Sequence, residues 1–167
     1  MTEKVEQSNL FTVKLSTQSR YGLRALFDIA YHSAGLSTQV KDISARQGIS
    51  PRYIEQIFQK LKRAGIIRSI RGPSGGYYLA KKLDEITVGE IVRATEGTVH
   101  LVFCAGSRKN PGKTCDKMRE CAVRDVWKEA SDRLMSYLDS VTLEDLCKDA
   151  QAKGIERVVD KHLMYYI

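Results

Sequence analysis

Apolar residues in the first third of the chain recur at the spacing of an amphipathic α-helix. One apolar strip holds Leu23, Leu26, Phe27 and Ala30, and the strip beside it holds Tyr21, Ala25 and Ile29. Ser16 or Thr17 supplies the N-cap, and the pattern predicts a helix from there to about Ser33. Because this helix is apolar on much of its circumference, we expect it to lie in a core.

Two shorter helices are predicted to follow. Residues 40–47 form an amphipathic segment that should end at Gly48, since glycine adopts the left-handed conformation of a helix stop without strain. The next helix begins with Ser50 as N-cap and Pro51 at its first position, and its apolar period runs to Gly65. Two helices joined by a short turn containing glycine indicate a helix-turn-helix unit.

A β-hairpin is predicted directly after these helices. Residues 66–70 and 77–79 have the composition of strands, and the turn between them, residues 71–76, is rich in glycine and contains a proline. A polar third helix followed by a basic hairpin is the order of a winged helix-turn-helix. We therefore expect a mainly α fold with a small β-hairpin, consisting of a winged helix-turn-helix domain and a long dimerisation helix.

The second half of the chain predicts a long helix after an irregular segment. A capping box at residues 87–90 opens a helix that ends at Gly97, and residues 100–120 show no regular period. An apolar stripe then runs from Ala122 to Val141, too long for a small domain to cover alone, which favours a homodimer. The predicted segments are an N-terminal extension (1–12), the DNA-binding domain (13–82), a connecting helix (83–99), a cysteine-bearing loop (100–121), the dimerisation helix with a short following helix (122–147), and a tail (148–167).

The chain has 167 residues and a formal net charge of +7, and the excess charge is confined to one region. Residues 1–80 carry 12 Lys and Arg against five Asp and Glu, whereas the remainder is balanced. A clustered positive field suits a polyanion, nucleic acid first and an acidic membrane second. The sequence has no long apolar run and no secretory pattern, so we expect a cytoplasmic protein. Its three histidines are scattered and it has no phosphate-binding loop followed by a helix, so an enzyme is not expected.

The outer face of the third helix carries side chains that can bind base edges or phosphates. Glu55 is the expected discriminator of bases, since a carboxylate accepts from cytosine and repels phosphate. Lys60, Lys62 and Arg63 are expected to contact phosphates. The predicted DNA-binding residues are Ser50, Arg52, Tyr53, Glu55, Gln56, Lys60, Arg71 and Gly72.

Three cysteines, Cys104, Cys115 and Cys121, are separated by ten and five residues in and after the irregular loop. A disulfide framework is not expected in a reducing compartment. Three thiolates can hold a soft metal centre, namely zinc, copper(I) or an iron-sulfur cluster, and the basic residues nearby favour the thiolate form. Ordinary buried cysteines, a metal-free thiol switch and a zinc-stabilised protein are the alternatives. Cys147 lies on the apolar face of the last predicted helix, so it is expected to pack in the core.

Several motifs resemble those of the iron-sulfur cluster regulators IscR, NsrR and CymR, a superfamily of winged-helix transcription regulators. They are residues 20–26 (RYGLRAL), 47–50 (QGIS), 53–58 (YIEQIF), 71–77 (RGPSGGY) and 88–90 (VGE). The resemblance implies a bacterial dimer, usually a repressor, that binds a pseudo-palindromic operator and senses cluster supply, nitric oxide or redox state through a 2Fe-2S cluster. It implies that Cys104, Cys115 and Cys121 are the cluster ligands, that residues 50–56 read DNA, and that Arg71 enters the minor groove.

Two positions depart from the family pattern. Arg124 stands where a ligating histidine is found in IscR, and Arg20 stands where a ligating aspartate is found in NsrR. Neither arginine can ligate iron, so the fourth ligand is unassigned; Asp125 and His100 are nearby candidates, each better explained as a surface residue.

Overall fold

The computed structural model describes residues 15–33, 36–72, 75–105 and 120–158. Its elements, in chain order, are α1 (Thr17–His32), α2 (Val40–Gln47), α3 (Pro51–Arg63), β1 (Ile67–Ile70), β2 (Gly76–Leu79), α4 (Val88–Glu96), a 3₁₀ turn (Phe103–Ala105), α5 (Ala122–Ser140) and α6 (Leu143–Ala152). This order confirms the predicted mainly α fold with one hairpin. None of the helices in these described ranges has both the length and the apolar character to span a membrane.

The ends of the first three helices follow the local sequence. Ser16 caps α1 by accepting a hydrogen bond from the Ser19 N–H, and α2 stops at Gly48, whose φ of 64° is left-handed. Ser50 is the N-cap residue of α3, followed by Pro51 in the first turn, but the Ser50 side chain makes no capping hydrogen bond. Its hydroxyl is exposed at the start of α3.

A single hydrophobic core lies among α1, α2, α3, α4 and α6. The α3 face that enters it consists of Ile54, Ile57, Phe58 and Leu61, all at most 1% exposed. The apolar period of α1 was correctly predicted, since Ala25, Leu26 and Ile29 are fully buried. This core fixes α3 with its opposite face in solvent.

A buried ion pair joins α1 to α2. Both carboxylate oxygens of Asp28 accept hydrogen bonds from Arg46, at 2.7 to 3.1 Å, and Gln47 donates a further bond at 2.9 Å. The Asp28 side chain is fully buried, whereas that of Arg46 is 14% exposed. Such a carboxylate needs all of these donors, because an unpaired buried charge is strongly destabilising.

The hairpin is antiparallel, with Ile67 opposite Leu79 and Ile70 opposite Gly76. It is tied to the helices by two backbone hydrogen bonds between Thr38 and Tyr77, both 2.9 Å long. A Cβ atom at Gly76 would lie 2.4 Å from the Thr38 carbonyl oxygen, so only glycine permits this approach. The wing is thereby held beside the start of α2.

The capping box predicted at the start of α4 is only half formed. Thr87 accepts from the Glu90 N–H, as expected, but the Glu90 carboxylate pairs with Lys81 at 2.5 Å. A complete capping box is found instead at α6, between Thr142 and Asp145. At α4 the Glu90 carboxylate binds Lys81, a cation outside the capping-box motif, and not the backbone of the N-cap residue.

The chain after α5 packs back onto the core. Helix α6 ends at Ala152, and Cys147 is buried in the core as predicted. Residues 155–158 then return to the end of α1. There the Tyr31 hydroxyl donates to the Ile155 carbonyl at 2.7 Å, and Arg157 donates to the Tyr31 carbonyl at 2.7 Å.

Candidate nucleic-acid interface and cysteine site

The outward face of α3 is polar and exposed. Because its buried residues recur every three or four positions, the remaining positions form one solvent-facing strip. That strip contains Arg52, Glu55, Gln56 and Gln59, and Ser50 is exposed at its beginning. Four of the predicted DNA-binding residues therefore lie together on one surface.

Tyr53 lies at the edge of that surface. Its side chain is half-buried and packs edge-on against the ring of Tyr21, with the ring centroids 5.9 Å apart. Arg24 lies over the other ring, 5.5 Å from the Tyr21 centroid. Tyr53 therefore contacts α1 as well as bordering the exposed strip.

Lys60 lies on a different side of α3 from the exposed strip. Its ammonium group donates to the Gln18 side-chain oxygen at 2.5 Å and to the Thr95 carbonyl at 2.8 Å. This placement of Lys60 was not predicted from the sequence. The available clue was spacing, since Lys60 is three positions after buried Ile57 and seven after Tyr53.

The wing presents Arg71 and Gly72 to solvent. Gly72 has a φ of 124°, a conformation suited to glycine at the turn. A cleft of about 420 Å³ lies between the wing and the start of α2, and it includes Lys41, Ile70 and Arg71. Two cations therefore flank this cleft. The predicted turn residues 73 and 74 lie outside the described residues.

Helix α3 and the wing interact directly. Burial raises the pKa of Tyr77 on β2, and the negative charge of Glu55 raises it further. The Glu55 charge therefore acts on a residue of the wing. Lys62 also links the two elements, because its ammonium donates to the Ser69 hydroxyl at 2.7 Å.

Arg124 hydrogen-bonds to the backbone of two of the predicted ligand cysteines. Its side chain donates to the Cys104 carbonyl at 2.9 Å, while its own backbone N–H donates to the Cys121 carbonyl at 3.1 Å. Cys104 lies in the 3₁₀ turn, Cys121 is the N-cap residue of α5, and both are half-buried. Cys115 lies outside the described residues.

The two candidates for the fourth ligand are not part of a metal site within the described residues. His100 is half-buried and Asp125 is exposed. Within the described ranges, no three His, Cys, Asp or Glu side chains are grouped as a metal site. What the structure shows is Cys104 and Cys121 at the two ends of the segment that carries Cys115, with Arg124 hydrogen-bonded to the backbone carbonyl of each.

Helix α5 presents an apolar stripe to solvent. Val123, Val126, Trp127 and Tyr137 are 42 to 65% exposed, and Ser131 is the one residue of the helix classed as buried. An exposed apolar surface of this kind on a soluble fold typically marks an interaction site. On its other side α5 is fastened to α4 by the Arg93–Asp139 ion pair at 2.6 Å.

A sequence profile for Rrf2, described as an iron-dependent transcriptional regulator, matches residues 15–149. The chain belongs to the Rrf2 family. The transcriptional regulator IscR of Aliivibrio salmonicida is 38% identical over 143 residues, which cover 86% of this chain and 82% of that relative.

Solved Rrf2-type structures share the fold. T. potens IscR superposes with a TM-score of 0.68 at 34% identity, over 92% of this chain and 96% of that structure. CymR, named the global cysteine regulator of B. subtilis, gives 0.67 at 36% identity, over 82% and 98%. These relatives confirm the predicted winged-helix class and the resemblance to IscR and CymR. They are transcription regulators, a non-enzymatic class, so the protein is a DNA-binding transcription regulator.

Proposed function

We propose that this Rrf2-family regulator acts as a homodimer that binds a pseudo-palindromic operator and represses transcription. The recognition helix reads the major groove with Ser50, Arg52, Tyr53, Glu55 and Gln56, while the wing places Arg71 and Gly72 at the minor groove. The proposal is supported chiefly by one observation: the polar strip of α3 and the Arg71–Gly72 tip of the wing are both exposed, and α3 is joined to the wing by the Lys62–Ser69 hydrogen bond.

The charge distribution supports the same surface. The seven excess positive charges lie in residues 1–80, which contain α3 and the wing. Arg63 at the end of α3 and Arg68 on β1 are exposed and provide phosphate contacts around the reading surface. Glu55 restricts which bases are accepted, since its carboxylate accepts only from a donor such as the cytosine amino group.

The DNA-reading test uses a duplex selected from a random-sequence library by the wild-type protein. Glu55→Ala is expected to bind single-base variants of that duplex with reduced discrimination, while Gln59→Ala provides a matched change on the same face. An unchanged ranking of the variants by the Glu55→Ala protein would remove Glu55 from the reading surface.

A homodimer is supported by the α5 stripe. Its apolar side chains are too exposed for a stable surface helix, and a second copy of the same helix would cover them. The winged helix-turn-helix domains of the two subunits, here called the two reading heads, would then bind the two half-sites of a symmetric operator.

We propose that Cys104, Cys115 and Cys121 hold a 2Fe-2S cluster. The donor set fits, because thiolates are the ligands that iron-sulfur clusters use, and the backbone carbonyls of two of the three cysteines are bridged by Arg124. When bound, such a cluster supplies a redox-active, oxidant-sensitive centre. Arg124 cannot ligate iron, so the fourth ligand is another group, with Asp125 and His100 as the protein candidates.

The cysteine segment is placed to influence the dimer. Cys121 is the N-cap residue of α5, so a change at this thiol acts directly on the first turn of the helix proposed to join the two subunits. A shift of one α5 relative to the other would alter the distance between the two reading heads. Regulation then follows from a change in geometry rather than a change in the reading residues.

A metal-free thiol switch is the second candidate. It is favoured by the partial exposure of Cys104 and Cys121, since an oxidant must reach the sulfur. The likeness to CymR, which is named a cysteine regulator, is also compatible with such a role. A zinc-stabilised protein would use the same three cysteines.

Anaerobic purification with visible spectroscopy and iron, sulfide and zinc analysis distinguishes these candidates. A cluster gives a coloured protein with equal iron and sulfide, and each of Cys104→Ala, Cys115→Ala and Cys121→Ala should abolish the colour. Cys147→Ala is the control and should retain it, because that thiol is in the core. Colourless protein would overturn the cluster; zinc in it would support structural zinc, and peroxide-sensitive DNA binding without metal would support the thiol switch.

A further inference from the structure

Lys60 is a cation of the recognition helix whose charge is used inside the protein. We infer that Lys60 is a positioning residue that fixes α3 against α1 and the end of α4, and that it does not contact DNA phosphate. The inference rests on the proposed DNA-reading function of α3. It replaces the expectation, drawn from sequence, that Lys60 is one of the phosphate contacts.

The position of Lys60 on α3 directs its side chain away from the reading strip, which is the exposed polar strip proposed to read DNA and consists of Arg52, Glu55, Gln56 and Gln59. Seven residues correspond to about two helical turns, so Lys60 lies over Tyr53, whose ring packs against α1. Its side chain is half-buried, in contrast to exposed Gln56 and Gln59. The ammonium group is therefore on the flank of α3 that faces the protein.

Two acceptors from different helices bind that ammonium. Gln18 is in the first turn of α1 and Thr95 is in the last turn of α4, at 2.5 and 2.8 Å from the Lys60 nitrogen. The final carbonyls of a helix lack partners within the helix and carry its partial negative charge. The Lys60 ammonium donates a hydrogen bond to the Thr95 carbonyl and places a positive charge at the negative end of the helix. Moving this ammonium to a phosphate would leave the carbonyl without its partner.

The surrounding polar groups hold these acceptors in place. The Thr95 hydroxyl lies 2.7 Å from the buried Ser19 hydroxyl, and the Ser16 N–H donates to the Glu96 carboxylate at 2.7 Å. Burial would raise the pKa of Glu96, but hydrogen bonds from Ser19 and Ser16 and the charge of Lys60 together lower it. The start of α1 and the end of α4 are thus one connected unit to which α3 is attached.

This attachment sets the angle of the reading strip. The core contacts of α3 are apolar and lie on its inner face, so they resist separation more than rotation about the helix axis. The Lys60 bonds are directional and lie on the flank, where a small rotation would lengthen them. Base contacts require placement within a fraction of an ångström, so loss of this attachment weakens reading without removing any DNA contact.

The test measures the affinity for the library-selected duplex over a range of KCl concentrations. Lys60→Met is expected to lower affinity about tenfold at every concentration, as for loss of one charge-assisted hydrogen-bonded group, with the salt slope unchanged. Lys60→Arg should restore most of the affinity, because a guanidinium also donates to the Thr95 carbonyl. Arg63→Met is the matched control, an exposed cation that should reduce the salt slope by about 0.9 if it contacts phosphate.

Gln18→Ala provides an independent variant that keeps every charge. It should weaken binding in the wild-type background and have a smaller effect in the Lys60→Met background, because the two side chains act as one unit. The far-ultraviolet spectrum and thermal midpoint of each variant show whether it is folded. If Lys60→Met fails to fold, Lys60→Arg and Gln18→Ala carry the test.

The outcomes separate this inference from the function on which it rests. A salt slope lowered by about 0.9 in Lys60→Met, with Gln18→Ala binding normally, would make Lys60 a phosphate contact and overturn the inference alone. Unchanged affinity in both variants would also overturn it. A wild-type protein that selects no duplex would overturn the proposed DNA reading itself.

Discussion

Replacing Asp28 by alanine tests whether the buried ion pair between α1 and α2 holds the helix-turn-helix together. The carboxylate is fully buried and accepts three hydrogen bonds from Arg46 and one from Gln47. Asp28→Ala leaves the Arg46 cation, 14% exposed, without this anion and opens a space in the core. Breaking a buried pair in this way costs about 3–5 kcal/mol of unfolding free energy.

The magnitude follows from the desolvation of Arg46 rather than from the attraction alone. An exposed guanidinium would regain water on losing its partner, whereas this one is largely shielded. Asp28→Asn keeps the volume but turns an amide N–H₂ toward donors, so it should also be strongly destabilising. The double change Asp28→Leu with Arg46→Met removes both charges and should recover a large part of the loss.

Urea unfolding followed by far-ultraviolet circular dichroism measures this effect at one fixed protein concentration. Thermal unfolding of the same proteins gives a second measure, because the expected loss lowers the thermal midpoint by about 2–4 °C for each kcal/mol in a chain of this size. Asp132→Ala is the matched control, since its i,i+4 pair with Lys128 is more than half exposed, and it should leave the midpoint unchanged. An Asp28→Ala protein that loses less than about 1 kcal/mol, or resembles this control, would refute the reasoning.

Three further measurements address α5, the cysteines and the α4–α5 contact. Val126→Asp places a charge in the exposed stripe and should shift the protein toward monomer in sedimentation velocity at unchanged helicity; an unaltered oligomeric state would remove Val126 from the proposed dimer surface. Burial raises the pKa of the Cys147 thiol, so N-ethylmaleimide should modify Cys104 well before Cys147 in the folded, metal-free protein, as followed by peptide mass spectrometry. Equal rates would contradict the packed position of Cys147. Gly89→Ala would place a Cβ 2.0 Å from the Asp139 carboxylate and 3.0 Å from its backbone nitrogen, so it should destabilise the fold by about 1–3 kcal/mol despite the better helix propensity of alanine. A raised thermal midpoint would show that α5 moves aside at little cost.

The elements of this protein were predictable because their causes are local in sequence. The Ser50-Pro51 start of α3 and the Gly48 stop of α2 depend on one or two residues each, and the structure confirms both positions. The apolar period likewise predicted which face of α1 is buried and that Cys147 belongs to the core. The capping box at residues 87–90 failed in part because Lys81, outside the motif, takes the Glu90 carboxylate.

The polar connections were decided by the tertiary structure. Lys60 and Thr95 are 35 positions apart, and Arg124 and Cys104 are 20 apart, so no periodicity or cap relates them. From the sequence alone, Lys60 cannot be distinguished from a solvated or phosphate-binding lysine, because the sequence gives the charge of the side chain but not the atoms that it contacts. Apolar burial is set by a repeating pattern along one helix, whereas a hydrogen bond depends on where two distant helices place single atoms. The sequence thus determined the helices, the wing and the exposed polar strip of α3, and only the packing of α1, α3 and α4 determined which cations of α3 remain exposed to solvent.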